Sequence, residues 1–208
     1  MVLSFIEITD ENILFDITHG FRSMPILLYQ ALQFSISQNP KIKNVELVYG
    51  EYIESKKESH VRDLSNYWRY SQISDALSVF RTKLDGYKLA ELIEDEWLEG
   101  SKAIKRLSDI VQTNFSLQII EVSKQIKNAL KKYPTNAPTW LEDVKLFLEE
   151  ILNCVTSDFL YKSLKNYAEF LFERKLNVQA IITLQVAVET YIAETNNCED
   201  MIGNYDWW

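Results

Sequence analysis

A short α/β amino-terminal part followed by a larger all-helical part is the fold class this sequence predicts. Three observations carry it. Short β-branched and alternating apolar runs are confined to the amino-terminal quarter, where two of them flank a helical stretch. From Tyr67 onward helical periodicity dominates and strand signal almost vanishes. Between the two, residues 51–66 are polar and mixed in charge, with Glu54-Ser55-Lys56-Lys57-Glu58-Ser59-His60 at their centre. That stretch reads as a surface excursion and a junction, so the expected parts are 1–66 and 67–208.

The elements follow in order. Val2-Leu3-Ser4-Phe5-Ile6-Glu7-Ile8 reads as a strand, and Asp10-Glu11-Asn12 as a turn. Residues 13–17 form the next strand, with Ile13, Phe15 and Ile17 on one face and Leu14 and Asp16 on the other. A tight turn comes next, and Ser23 to Gln38 reads as a helix. Pro25 suits its first turn, where a missing N–H costs little. Leu27, Leu28, Ala31, Leu32 and Phe34 give that helix a broad apolar face, and Asn39-Pro40 ends it. Val45, Leu47 and Tyr49 alternate in a strand closed by Gly50. Residues 13–50 are therefore a βαβ unit with parallel strands. Beyond the junction, helices are expected over 67–83, 86–98, 101–133, 139–155, 158–174 and 177–195. Tyr133-Pro134-Thr135-Asn136-Ala137-Pro138 is the clearest break, and Thr139 is placed to cap the helix that follows.

Composition narrows the function classes. The chain has 208 residues and a net charge of −8, so a broad basic face for duplex DNA is not expected. The acidic excess is spread along it: residues 1–66 carry 6 Lys and Arg against 9 Asp and Glu. No apolar run reaches the ~18 residues of a membrane span. Met1-Val2-Leu3-Ser4-Phe5 lacks the basic start of a signal peptide, so the cytoplasm is the expected compartment and no membrane partner is expected. Cys154 and Cys198 are far apart. With two histidines in the chain, neither near a cysteine, no metal site is assigned.

One stretch concentrates chemically able groups: Asp16-Ile17-Thr18-His19-Gly20-Phe21-Arg22-Ser23. It lies between a strand end and a helix start, where unpaired N–H groups and the helix dipole favour an anion. Thr18, His19 and Arg22 surround that spot with a hydroxyl, an imidazole and a guanidinium, and Gly20 leaves room for a close approach. A phosphate-binding turn and a purely structural turn both fit these residues, with the concentration of groups tilting towards function. Elsewhere the bland reading is favoured. His60 stands in a charged loop. Trp68, Arg69 and Tyr70, and Tyr49 and Tyr52, read as packing residues before they read as base-stacking ones. Glu91, Glu94, Asp95, Glu96 and Glu99 are a solvated helix face. No catalytic residue and no cofactor are assigned.

Asp16-Ile17-Thr18-His19-Gly20 matches the DxTHG signature of a group of CRISPR-associated proteins, and the longer string Asp16 to Pro25 resembles the version found in one branch of that group. The run Phe170-Leu171-Phe172-Glu173-Arg174 and residues 180–191 are loosely similar to the start of that family's carboxyl-terminal helical domain. The resemblance implies a partial Rossmann-like CARF sensor part followed by a HEPN-like helical domain. It implies a homodimer that binds cyclic oligoadenylate, the second messenger of type III CRISPR systems. It also implies that Thr18, His19, Gly20, Phe21 and Arg22 contact this ligand, and that full-length relatives are ligand-activated, metal-independent ribonucleases acting on RNA. The family's ribonuclease motif is an arginine five residues before a histidine. Leu14 stands five before His19 and Ser55 five before His60, so the motif is absent. Only fifteen residues precede Asp16, and the chain stops at Trp208. The expectation is therefore a truncated or split member that keeps part of the sensor and has an incomplete helical domain. Two alternatives stand beside it: cleavage of the cyclic ligand itself, and a non-catalytic helical dimerisation scaffold.

Overall fold

A computed structural model describes residues 12–18, 24–38, 42 and 44–196. The expected strand over 2–8, Cys198 and the terminal Trp207-Trp208 lie outside the described residues. An α/β part precedes a helical part, as the periodicities predict. The chain falls into two compact units, Met1–Gln72 and Ile73–Trp208, the division lying within one helix.

In the first unit, strand β1 (Asn12–Asp16) and strand β2 (Asn44–Ile53) are parallel, with Asn12 opposite Asn44 and Asp16 opposite Val48. Helix α1 (Met24–Gln38) connects them, which completes the βαβ unit. Two features differ from expectation. Gly50 does not close β2, which runs on to Ile53. Residues 58–63 are no loop: β2 turns through Glu54–Lys57 and pairs antiparallel with strand β3 (Glu58–Asp63), Gly50 facing Val61. The polar composition that suggested a junction is instead that of an edge strand, exposed at every position. Lys57 takes the left-handed φ of 53° that the tight turn needs.

Leu32 of α1 and Leu47 of β2 are buried, and Trp68 packs edge-on to Tyr29 with ring centroids 5.7 Å apart. Trp68 is thus a packing residue, and burial removes it from base stacking. The apolar face expected for α1 is only partly used, since Leu27 and Phe34 are exposed. Leu14 on β1 is also exposed, at 68 %. The strand is therefore covered on the Ile13 and Phe15 face alone.

Helix α2 (Ser65–Lys83) carries the chain into the second unit. There α3 (Tyr87–Ile93), α4 (Leu98–Thr113), α5 (Ile119–Lys131), α6 (Thr139–Val155), α7 (Leu160–Glu173) and α8 (Asn177–Thr195) surround one core. Phe80, Leu89, Ile104, Leu107, Ile126 and Leu148 lie within it. The long helix expected over 101–133 is two helices. Asn114, at a left-handed φ of 58°, ends α4, and a 3-10 turn over Ser116–Gln118 starts α5. The apolar stripe continues through the break because both helices face the same core. Thr139 is the first residue of α6 and makes no capping bond. The helix follows Pro138, whose extended backbone stops anything earlier.

Helix α8 has an unusual distribution. Its inner positions are small, with Ala180, Thr183, Ala187 and Thr190 buried. Its outer positions carry Val178, Ile181, Leu184, Val188, Tyr191 and Ile192, all about half exposed or more. Small inner residues let it lie close against α7. The large apolar residues are left on the other side.

Candidate ligand-binding turn

The DxT portion of the motif has a local structure that its residue types explain. The chain leaves β1 after Asp16, and the parallel ladder continues for one more bond, Ile17 N–H to Val48 O at 3.1 Å. The Asp16 carboxylate then accepts the Thr18 backbone N–H at 2.8 Å, an Asx turn. The Thr18 hydroxyl donates to the same carboxylate oxygen. In return that hydroxyl accepts the Gly50 N–H of β2 at 2.6 Å. Two of these bonds, Ile17 to Val48 and Gly50 to Thr18, tie the end of β1 to the middle of β2.

This clamp sets what Thr18 can offer a ligand. A hydroxyl has one proton and two lone pairs. Its proton goes to Asp16 and one lone pair to Gly50, leaving one acceptor position. In this arrangement Thr18 positions the turn and can accept from a ligand hydroxyl.

Gly50 is the residue that sequence reasoning missed. A Cβ there would lie 2.7 Å from Thr18 Cγ2 and 2.9 Å from Thr18 Oγ1. The side chain is absent because Thr18 occupies its place. A glycine inside an alternating strand is the signal that could have found it, since such a glycine often marks a close backbone approach.

The clamp lies at the carboxyl end of β1, the side of the strand at which open α/β sheets receive ligands. His19, Gly20, Phe21 and Arg22 themselves lie outside the described residues. Helix α1 starts at Met24, two residues after Arg22.

The other residues weighed from sequence are dispersed. His60 sits on β3, with its Nε2 3.1 Å from Glu58 Oε2. Arg62 bonds the Glu51 carboxylate across the hairpin at 2.9 Å. Tyr49 and Tyr52 lie within β2, exposed. Glu94 pairs with Lys105 and Glu99 with Lys132 along solvated surface. The Lys132 ammonium, through its hydrogen bond, holds the Glu99 carboxyl below its ordinary range. The Cys154 thiol is pushed up to about 12 by burial, which makes it an inert structural group. Among the described residues no group of three or more His, Cys, Asp or Glu is placed to hold a metal ion. No helix among them is long and apolar enough to cross a membrane.

No protein-family model matches the chain. Over 128 residues, 61 % of its length, it is 28 % identical to the CRISPR-associated protein MJ1674 of Methanocaldococcus jannaschii. The chain spans about a fifth of the length of that relative. The similarity supports the CRISPR association that the DxTHG motif implies.

Proposed function

We propose that this chain is part of a type III CRISPR accessory protein of the DxTHG group, and that its amino-terminal unit senses cyclic oligoadenylate. The observation that carries the reading is the Asp16–Thr18–Gly50 clamp. It fixes Thr18 at the carboxyl end of a parallel strand, six residues before the first residue of α1. A ring of linked phosphates is matched by the unpaired N–H groups of that helix start and by a guanidinium. His19, Gly20, Phe21 and Arg22 are the contacts proposed to follow the clamp, with Arg22 supplying charge. The CRISPR-associated relative supports the biological setting.

The chain acts as a sensor and not as a ribonuclease in this reading, because it has no arginine five residues before a histidine. RNA cleavage belongs to full-length relatives. The outward apolar row on α8 supports a homodimer, since one such row can pair with its own copy about a two-fold axis. It equally favours the second reading, a helical dimerisation scaffold whose turn is only structural.

The two readings part in a melting experiment. Ligand that binds only the folded state raises the melting temperature by mass action. Cyclic tetra- or hexa-adenylate at saturating concentration should raise it for the wild-type chain, while linear tetra-adenylate should not. A melting curve indifferent to both rings would leave the scaffold reading.

A further inference from the structure

The second unit contains a cleft that the sensor reading does not use. It lies between the last turn of α2 and the α7–α8 turn, has a volume of about 400 Å³, and is lined by Arg81, Thr82, Lys83, Glu173, Arg174 and Lys175. Four of these six residues are cationic and one is acidic, whereas the chain as a whole has 22 basic against 30 acidic residues. The charge balance is locally reversed.

Two of the four cations belong to the framework. The Arg174 guanidinium lies 3.4 Å from the Phe170 ring centroid. It donates to Glu150 Oε1 at 2.7 Å, and to the carbonyls of Arg81 and Phe170 at 3.1 and 3.2 Å. Arg81 donates to the Asp143 carbonyl at 3.2 Å and has that residue's carboxylate at 3.8 Å. These bonds satisfy the carbonyl ends of α2 and α7, which attract cations. The two arginines thus form a fixed wall.

The other two are different. Lys83 and Lys175 are exposed, and among the described residues no carboxylate lies within ion-pair distance of either. Lys175 also occupies a left-handed position, φ 59°, just past the end of α7. Glycine is the residue that takes such a position without cost. A lysine stands there instead, among the residues that line the cleft.

We propose that this cleft binds a phosphate-bearing ligand, with Lys83 and Lys175 as its cationic contacts and the Arg81–Arg174 wall behind them. The ligand chemistry is that of phosphate oxygens, from either a free pyrophosphate-containing nucleotide or the backbone of a single strand. The cleft volume of about 400 Å³ lies within the range of small-ligand sites. Ammonium groups on flexible stems read charge without reading sequence, so binding should be sensitive to salt and tolerant of base identity.

The test uses the full chain and fluorescence anisotropy of a labelled ten-residue oligouridylate, with inorganic pyrophosphate as competitor. Binding at low salt is expected. Lys83→Gln/Lys175→Gln should weaken it at least about tenfold. It should also make the slope of log K against log salt shallower by about 1.4, some 0.7 for each phosphate left without its lysine. Lys124→Gln/Lys127→Gln, two exposed lysines of α5, should change neither. Pyrophosphate should compete, since it meets the same two ammonium groups; affinity that rises from di- to ten-residue oligouridylate assigns the source to a strand, and affinity already complete with pyrophosphate assigns it to a free ligand. An unchanged salt slope in the Lys83/Lys175 variant, an equal weakening in the α5 variant, or no wild-type binding would overturn the proposal. Because the lysines lie in the second unit, the outcome is independent of whether the THG turn binds a cyclic ligand.

Discussion

At the scale of single residues, Thr18 and Gly50 act as one unit. The hydroxyl accepts the glycine N–H, and the missing glycine Cβ is the space the threonine fills. Gly50→Ala should therefore destabilise the first unit by about 1–3 kcal/mol, the cost of overpacking. Thr18→Ser removes the methyl group that the new Cβ meets first. The double variant should recover part of the loss, with a coupling of at least ~0.5 kcal/mol in a double-mutant cycle followed by urea unfolding. Strict additivity would mean that the two positions do not meet. Cys154 gives a second residue-level expectation. Burial raises its folded pKa from the ordinary 9.0 to about 12. A raised value means that the neutral thiol contributes stability in full below the ordinary thiol range. That contribution is lost as pH rises through the interval up to about 12. The native thiolate fraction at pH 8 is then on the order of 10³ smaller than in the unfolded chain. In a Cys198→Ser background, alkylation of Cys154 by iodoacetamide at pH 8 should be at least about a hundredfold slower in buffer than in urea. Comparable rates would show an accessible, ordinary thiol.

At the scale of elements, the division between α4 and α5 rests on Asn114. Its left-handed backbone at φ 58° is one that asparagine and glycine tolerate and alanine does not. Asn114→Ala should cost about 1 kcal/mol or more, and Asn114→Gly markedly less, in chemical denaturation. Equal costs would place the origin of the break elsewhere. This break also shows why the sequence was only partly legible. The apolar stripe from Ala103 to Tyr133 is read correctly as core-facing, but period alone does not register one residue changing its φ while both flanking helices keep the same face inward. The β2–β3 hairpin was hidden for a related reason. An edge strand exposed on both faces has no alternation to detect, and Glu58 to Asp63 therefore has the composition of a loop. By contrast, β1, α1 and the first half of β2 were legible because each buries one face. The ends of α6, α7 and α8 were legible because Pro138 and the turns around residues 156–159 and 174–176 interrupt strong periodicity. Within the candidate site, the Asp16–Thr18 turn followed from residue type, whereas its partner Gly50 is thirty-two residues away and only the parallel register brings it there.

At the scale of the whole molecule, α8 carries the expectation about assembly. Ile181, Leu184, Val188 and Tyr191 recur at spacings of three and four, an arrangement suited to pairing with another helix. Ile181→Asp/Val188→Asp should convert a dimer to a monomer in light scattering without lowering helix content, since both side chains are more than half exposed in the single chain. A wild-type chain that is monomeric at high concentration would remove this face from the account. The central claim concerns the other end of the chain, where the clamp is proposed to hold a second-messenger site. Calorimetric titration of the purified chain with cyclic tetra- and hexa-adenylate, alongside Arg22→Ala, tests it most directly. Saturable heat is expected with at least one ring, and removal of the guanidinium should weaken the affinity by about tenfold or more. No heat with either ring, or binding that Arg22→Ala leaves unchanged, would contradict it.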